Sequence, residues 1–392
     1  MSGRLLVPMT RLYCHDGIAG HLATLLPLLQ SSGWLTTMVV GTYDCPESAR
    51  PVLERLRAAC ERFEIDPRLI GGRGMQVMPR WHQLRSLRRW VQSSRPDVIH
   101  IHGRALGPVA RLAARGVGRV YTRHLALSAV TRAAPASKVP KWPRLWCDRA
   151  IGISLKTCAE LRIIERMPAA MVRYVPHGVD LSRFRPPTAA ERRACRAVLG
   201  IDDNTFVCLQ LGRVVPVKRP ETLANAVARL RSEGRKAIAI LAGHTDPETV
   251  AKLRVALPDG GAEWLRLLGH ADPRQALWAA DVKVLASERE GFATAIVEAM
   301  ACGIVPLRTP TDGADDQIDD GVDGLLFDIG DHVALSESLA ALMDDPTRRV
   351  RMGVAARAKA EQFAATTMAE RTESIYRELI DRVPDPRCLR PV

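Results

Sequence analysis

Short apolar runs alternate with longer segments of helical periodicity along most of the chain. The runs predict strands at Leu5–Met9, Thr36–Gly41, Val98–Ile101, Arg119–Thr122, Ala150–Ile153, Val172–Val175, Phe206–Leu211, Ala237–Leu241, Leu265–Leu268, Val282–Leu285 and Ile304–Leu307. Helical periodicity predicts helices at Gly20–Gln30, Pro51–Arg62, Arg80–Gln92, Glu221–Ser232 and His332–Met343. Strands that alternate with helices are typical of parallel sheets, so the expected fold class is α/β.

The strands fall into two series, which predicts two doubly wound domains in a chain of 392 residues. Paired prolines in Phe184–Thr188 indicate the break between them. We therefore expect domains at residues 1–185 and 186–365. Residues 366–392 are expected to form a helical tail that packs back on the N-terminal domain. The tail carries an apolar face of Met368, Ile375, Tyr376 and Leu379.

Positive charge is concentrated in one part of the chain. Residues 80–149 contain fifteen Lys/Arg and two acids, so this segment has a net charge of +13. The whole chain has the same net charge. A localised basic face is typical of proteins that bind a membrane surface, a phosphorylated lipid or nucleic acid. In residues 80–91, apolar positions 81, 84, 87 and 91 lie beside arginines, and Lys138–Trp146 adds basic residues between tryptophans. The pattern fits either a helix lying on an anionic membrane or a packed surface helix with a solvated basic edge.

The nine cysteines are scattered and include no Cys-x-x-Cys pair. This spacing favours a reducing compartment and argues against a disulfide framework or a structural zinc. No apolar run approaches the ~20 residues of a membrane-spanning helix. The expected location is the cytoplasm. Peripheral attachment to the inner face of the plasma membrane is a second hypothesis, which follows from the basic segment.

Two glutamates frame the segment Glu290-Gly-Phe-Ala-Thr-Ala-Ile-Val-Glu298. A helix is expected to begin between Phe292 and Thr294, after the turn at Gly291. Free backbone N–H groups at such a helix start can hold phosphate oxygens, and the two carboxylates can accept hydrogen bonds from sugar hydroxyls. The segment therefore suits a phosphorylated, polyhydroxylated ligand.

A second loop, Gly212-Arg-Val-Val-Pro-Val-Lys218, follows a strong strand. Glycine lets the backbone approach a ligand closely, and Arg213 and Lys218 offer two cations on one short loop. Such a pair can clamp a diphosphate leaving group without a metal. The alternative interpretation is a pair of solvated loop cations.

Polar groups also follow strands of the first series. Gly17 and Gly20 lie between the first strand and helix, in a loop that resembles a phosphate-approach loop without its full glycine pattern. His124 follows a strand and is either structural or directed at a ligand. The turn containing His177 either connects the domains or faces the ligand. His100 and His102 share one strand face, which favours a polar network over a metal site.

These motifs occur in the order found in the retaining glycosyltransferases of family 4, which the chain resembles over nearly its whole length. The matching segments are residues 96–103 (PDVIHIHG), 122–124 (TRH), 175–180 (VPHGVD), 211–218 (LGRVVPVK), 280–287 (ADVKVLAS), 290–303 and 319–326 (DDGVDGLL). The resemblance implies a GT-B fold, with two Rossmann-like doubly wound domains facing across a cleft. It also implies metal-independent transfer with retention of the anomeric configuration and no cofactor beyond the nucleotide-diphosphate sugar.

The resemblance also implies roles for individual residues. His124 and Glu290 are implied catalytic residues that contact the transferred sugar, and Glu298 is implied to hold the ribose. Implied donor contacts are Gly17, Gly20, Gly212, Arg213, Lys218, Gly291, Phe292, Ala293, Thr294 and Glu298. The chain departs from the family at the first glycine loop, at His177 in place of Asn, and at Gly313-Ala-Asp-Asp-Gln317 where Gly-x-x-Glu is usual.

The sequence leaves the donor base open among UDP, GDP and ADP. The expected acceptor is an anionic glycan or a lipid-linked acceptor in cell-envelope polysaccharide, lipopolysaccharide or glycolipid synthesis. An epimerase of the same fold is the alternative enzyme, and it would need acid–base carboxylates of its own. Nucleic-acid binding is not expected, because no recognised motif accompanies the basic stretch.

Overall fold

The computed structural model describes residues 3–14, 16–70, 81–125 and 143–382. It divides into two units, Met1–Gly178 with Ala365–Val392, and Val179–Ala364. The sequence-based division placed these boundaries after residues 185 and 365.

The first unit is built on a seven-stranded parallel sheet of order β3-β2-β1-β4-β5-β6-β7. Its strands are β1 Arg4–Tyr13, β2 Leu35–Asp44, β3 Arg62–Ile65, β4 Val98–Ile101, β5 Gly118–Arg123, β6 Arg149–Gly152 and β7 Val172–Tyr174. Its described helices are Gly17–Ser31, Arg50–Ala58, Trp81–Ser94, Gly107–Ala113, Leu155–Ile163 and Ala365–Arg382. The strand order reverses between β1 and β4, and ligands of doubly wound sheets bind at such a switch point.

The second unit contains a six-stranded parallel sheet of order β10-β9-β8-β11-β12-β13. Its strands are β8 Phe206–Leu211, β9 Ala237–Ala242, β10 Leu265–Gly269, β11 Val282–Leu285, β12 Val305–Arg308 and β13 Leu325–Leu326. Its helices are Ala189–Val198, Pro220–Ser232, Pro247–Ala256, Pro273–Ala279, Thr294–Ala301, Ala314–Gln317, His332–Asp344 and Pro346–Ala360. The two sheets confirm the predicted α/β class.

Local sequence explains where several helices begin. Thr188 accepts from the backbone N–H of Glu191, whose carboxylate accepts from the N–H of Thr188, and this capping box starts the helix Ala189–Val198. Asp16 accepts from the N–H groups of Ile18 and Ala19, each at 2.9 Å. That cap starts the first helix at Gly17, three residues before the predicted start.

One predicted helix is wrong at its end. The pattern predicts a helix over Pro51–Arg62, but the helix ends at Ala58 and Arg62 begins β3. Thr37–Val40 of β2 pair with Arg62–Ile65, so pairing within the sheet overrides the local helical periodicity. The two-residue β13 was also not predicted.

The helix Ala365–Arg382 belongs to the first unit. Met368, Ile375, Tyr376 and Leu379 are all buried in its hydrophobic core. The Tyr376 ring meets Trp34 edge-on, with centroids 5.0 Å apart. The apolar face seen in the sequence is therefore the face that packs.

Among the described residues, no helix has both the length and the apolar character needed to cross a membrane.

Candidate functional site

Three glycines follow neighbouring strands of the second sheet. Gly212, Gly243 and Gly269 lie at the carboxyl ends of β8, β9 and β10, and the N–H of Gly243 donates to the Gly269 carbonyl at 2.6 Å. A Cβ built on Gly243 would lie 2.2 Å from the carbonyl oxygen of Gly212. The φ of Gly243 is also +142°. Only glycine lets these loops approach so closely, and together they form one backbone surface at the sheet edge.

Lys218 and Glu290 form an ion pair at the same edge. The Lys218 Nζ lies 2.5 Å from Glu290 Oε1, and the two side chains are 20% and 10% exposed. The backbone joins their loops as well, because the N–H of Glu288 donates to the Val217 carbonyl at 2.9 Å. The structure thus brings together a predicted cation and a predicted carboxylate that are 72 residues apart in the chain.

Burial by itself raises the pKa of Glu290, but the charge of Lys218 and its hydrogen bond outweigh burial and hold the pKa below its usual value. Glu290 is therefore a carboxylate at neutral pH. An ionised carboxylate can accept a hydrogen bond from a hydroxyl and can also orient the Lys218 ammonium.

The helix Thr294–Ala301 starts directly after the predicted turn. Its first residue is Thr294 and its N-cap is Ala293, which offers no capping side chain. The Ala293 carbonyl accepts from Gln317 Nε2 at 3.1 Å, and the buried Phe292 ring packs on Phe363. With no side-chain cap, this helix start can offer its backbone N–H groups to an anion.

Glu298 lies one turn into that helix and is partly buried. Its carboxylate has no hydrogen bond or ion pair within the described ranges. Burial raises its pKa from 4.5 to about 7, although Arg183 and Lys283 oppose the shift. Near neutral pH the carboxyl can therefore accept or donate a hydrogen bond to a ligand hydroxyl.

The Arg213 side chain is exposed and has no carboxylate partner in the part of the chain that the structure describes. Its loop is fixed nevertheless, because Val214 forms a β-bridge with Thr245 and donates to the His244 carbonyl at 2.8 Å. An exposed guanidinium on a fixed loop suits recognition of an incoming phosphate.

Two buried cations beneath this site were missed. Lys283 on β11 and Arg308 on β12 have no exposed surface. Arg308 donates to the carbonyl side chain of Gln317, and to Thr311 Oγ1 at 2.8 Å. The neutral amide of Gln317 thus joins Arg308 to the helix start at Ala293. A charged residue inside an otherwise apolar strand was the available signal for both cations.

In the first unit, His124 belongs to a cluster with His21, His100, His102 and His177. His124 Nε2 lies 2.9 Å from His102 Nδ1, and His124 Nδ1 lies 3.0 Å from His177 Nε2. Both ring nitrogens of His124 are therefore engaged by other imidazoles. Contact between His124 and a sugar hydroxyl stays a prediction, and such contact requires exchange of one of these hydrogen bonds.

The cluster is neutral at physiological pH. Burial lowers the pKa of His21 to about 4 and of His100 to about 3, and it lowers the pKa of the other three well below the usual value. His21 stacks on His177 with centroids 4.4 Å apart, and His100 Nδ1 lies 2.5 Å from the Tyr376 hydroxyl. His100 and His102 thus lie in a polar network, one of the two arrangements considered from the sequence.

Gly17 and Gly20 are exposed at the start of the first helix, and an added Cβ at either would meet nothing within 4 Å. Asp16 already caps this helix, so two of its N–H groups are occupied. Gly17, Gly20 and His124 lie in the first unit and the other predicted site residues lie in the second. Across residues 3–14, 16–70, 81–125 and 143–382, no group of His, Cys, Asp and Glu has the arrangement to hold a metal ion.

Known proteins match both units. The model of Glycosyltransferase Family 4 matches residues 15–183, and the model of Glycosyl transferases group 1 matches residues 191–359. The D-inositol 3-phosphate glycosyltransferase of Thermobispora bispora is 32% identical over 317 residues, covering 74% of this chain and 73% of that protein. Its namesake from Saccharomonospora viridis is 33% identical over 309 residues, covering 72% and 70%.

Solved structures share the fold. Anabaena HepE in complex with UDP and glucose has a TM-score of 0.76 at 21% identity, covering 94% of this chain and 98% of that one. A glycosyltransferase from Rickettsia africae has a TM-score of 0.79 at 14% identity, covering 97% and 100%. Together with the family models and the relatives, these matches establish that the chain is a glycosyltransferase of family 4 with the GT-B fold of two Rossmann-like domains.

Proposed function

We propose that this glycosyltransferase moves a sugar from a nucleotide-diphosphate sugar to a hydroxyl acceptor, with retention of configuration and without a metal. Arg213 and Lys218 bind the diphosphate, and the uncapped start of the helix at Thr294 holds a phosphate oxygen. Glu298 accepts from the ribose hydroxyls, and Glu290 contacts the transferred sugar. For His124, Gly17 and Gly20 of the first unit, contact with the donor stays a prediction.

One observation carries this proposal: the Lys218–Glu290 pair, at 2.5 Å, lies at the carboxyl edge of a parallel sheet. An ammonium fixed by a carboxylate can stabilise the negative charge that develops on a departing diphosphate. UDP in the neighbouring HepE structures supports a nucleotide diphosphate as the ligand class.

Thermal unfolding with UDP, GDP, ADP and their sugars tests the donor class. We expect one base series to raise Tm by a few degrees, because a ligand at a hundred times its Kd stabilises the folded state by about 2.7 kcal/mol. Arg213→Gln should reduce that shift, and Lys252→Gln, which changes a lysine 75% exposed in a surface pair, should not. No shift with any of these nucleotides would contradict the proposed function.

We expect activity to persist in excess EDTA, because Arg213 and Lys218 supply the positive charge that a divalent ion supplies in other transferases. Initial rates before and after dialysis against the chelator measure this. Loss of activity that Mg²⁺ or Mn²⁺ restores would contradict metal-free transfer.

We infer an anionic acceptor, and the relatives named D-inositol 3-phosphate glycosyltransferase support a small phosphorylated cyclitol. The cell-envelope glycan or lipid-linked acceptor is the second candidate, favoured by the basic surface of the first unit. Product analysis with myo-inositol phosphate, free myo-inositol and a lipid-linked glycan separates the two.

The basic surface is the exposed side of the helix Trp81–Ser94. Leu84 and Leu87 are buried in the core, so these two positions of the predicted apolar stripe face inward and are not free to insert into a bilayer. Trp81 is 75% exposed, and Arg85 and Arg89 are exposed without a carboxylate partner in the described ranges. Arg80 and residues 126–142 of the basic stretch lie outside the described residues. We therefore propose that the exposed arginines attach the protein to an anionic membrane by electrostatic attraction.

Vesicle flotation tests this attachment. We expect the protein to float with vesicles containing anionic lipid at low salt and to detach as salt screens the charges. Arg85→Gln/Arg89→Gln should weaken flotation, and Arg193→Gln/Arg351→Gln, which removes two exposed arginines of the second unit, should not. Equal binding to neutral vesicles, or none to either kind, would end the proposal.

A further inference from the structure

Lys283 is a fully buried cation that the proposed donor site does not use. It lies in the middle of β11, between Val282 and Val284, and has no exposed surface. Its ammonium donates to the Val284 carbonyl at 2.8 Å. This is its one hydrogen bond within the described ranges, where it also has no carboxylate within ion-pair distance. A buried ammonium satisfied by a single neutral carbonyl is unfavourable unless nearby charges compensate for it.

The register of the sheet places Lys283 beside the other buried cation. Lys283 pairs with Pro306 and Leu285 pairs with Arg308, so the side chains of Lys283 and Arg308 leave the same face of neighbouring strands. Arg308 is satisfied by Gln317, Thr311 and the Asp312 carbonyl. Lys283 has no comparable set of partners. Its strand, β11, leads directly into the loop that carries Glu290.

Four charged groups that act on Lys283 come from four different elements of the second unit. They are Lys218 from the loop after β8, Glu290 from the loop after β11, Glu298 from the following helix and Arg308 from β12. Burial, followed by the charge of Lys218, lowers the pKa of Lys283 to about 7, and the two carboxylates oppose this. The charges of both carboxylates of the site therefore act on Lys283, and the charge of Lys218 opposes them.

Binding of a diphosphate changes that balance of charges. Lys218 is paired with Glu290 in this structure, and an ammonium that turns to a donor phosphate weakens this pair. A buried carboxylate whose ion pair weakens needs the positive charge of its other neighbours. Two further cations interact with Glu290, namely Arg308 and Lys283. Arg308 is already held by Gln317, Thr311 and the Asp312 carbonyl, whereas Lys283 has, among the described residues, only the Val284 carbonyl.

We propose that Lys283 is a positioning residue for sugar transfer, which becomes the counter-charge of Glu290 and Glu298 when Lys218 turns to the donor diphosphate. The inference rests on the proposed function of this site. Binding of the nucleotide then stabilises the protonated ammonium, and the proton comes from the buffer. Lys283 acts through the two carboxylates and Lys218, and it does not contact the sugar.

Calorimetric titration with UDP, GDP or ADP, whichever binds the wild-type protein, tests the inference in buffers of different ionisation enthalpy at pH about 7. We expect the wild-type protein to take up a fraction of a proton on binding. Lys283→Met should take up none and should bind on the order of tenfold more weakly. Its Tm should equal or exceed the wild-type value, since replacing a buried charge by an apolar side chain of similar volume is often neutral or stabilising.

Lys283→Arg separates charge from titration, because a guanidinium keeps its proton throughout this pH range. We expect this variant to keep the nucleotide affinity and to lose the proton uptake. Wild-type binding without proton uptake, or a Lys283→Met variant that binds as tightly as wild type, would overturn the inference.

Glu298→Gln assigns the proton to one group. Uptake that survives in Lys283→Met and disappears in Glu298→Gln belongs to Glu298, and that outcome also overturns the inference. Failure of all three nucleotides to bind the wild-type protein instead contradicts the proposed function, so the two failures are distinguishable.

Discussion

Replacing Lys218 by alanine is expected to lower the turnover number by on the order of 10²-fold or more, comparable to the loss of one donor that stabilises a transition state. The ammonium stabilises the departing group most strongly when the bond from sugar to diphosphate breaks, because negative charge then accumulates on that group. We therefore expect kcat to fall, and kcat/KM for the donor to fall at least as much, because Lys218 is also proposed to contact the bound diphosphate. Initial rates of nucleoside diphosphate release measure both.

The same substitution removes the partner of Glu290. Without the Lys218 charge and hydrogen bond, the pKa of Glu290 rises, because two of the causes that oppose burial are lost. Lys218→Arg, which keeps a cation, should therefore retain more activity than Lys218→Ala. Lys252→Ala is the matched control, because its ammonium pairs with Glu248 on an exposed helix surface, where such pairs are worth less than about 1 kcal/mol. A near-normal rate in Lys218→Ala, with its unfolding transition intact, would refute the assigned role.

Periodicity in the sequence was enough to predict most of the two sheets. Val98–Ile101, Phe206–Leu211 and Val282–Leu285 have the predicted bounds, because buried parallel strands are apolar on both faces and stand out from their surroundings. Arg62–Ile65 was missed because it is a short, partly exposed strand next to a helix of similar composition.

The separate loops of the site could be predicted, but their side-chain contacts could not. Gly212, Lys218 and Glu290 follow strands, and parallel topology brings their loops to one edge. That Lys218 pairs with Glu290 while Arg213 stays exposed depends on the geometry of loops held by Val214 and Thr245.

The histidine cluster shows the same limit. His21, His102, His124 and His177 come from four separate segments, and no local pattern predicts that their rings meet. His102 and His177 engage both ring nitrogens of His124 only in the folded structure. Contact between His124 and a sugar would therefore require exchange of one of these hydrogen bonds. Likewise, the sequence showed a lysine inside an apolar strand at Lys283 but not the carboxylates around it.

Replacing Glu298 by alanine is expected to cost on the order of 10²-fold in turnover, measured with the same assay. The carboxyl lies on a helix whose start is proposed to hold phosphate, and it has no partner in residues 143–382. Loss of its contact with the ribose misplaces the donor. The binding energy of the ribose, which lies far from the reacting atoms, then no longer helps to lower the activation barrier of sugar transfer. Glu263→Ala is the matched control, because its side chain is 82% exposed.

Glu298→Gln separates this functional role from stability through its pH dependence. The folded-state pKa is about 7 against a usual value of 4.5, so the folded protein holds a proton between these values that the unfolded chain has lost. The free energy of unfolding therefore falls as pH rises through this window, and the full penalty applies above pH 7. The glutamine variant lacks this titration, so its Tm should exceed the wild-type value above that pH while its activity is low. A variant that is less stable than wild type at alkaline pH would show that the carboxylate is held by contacts that favour its charged form.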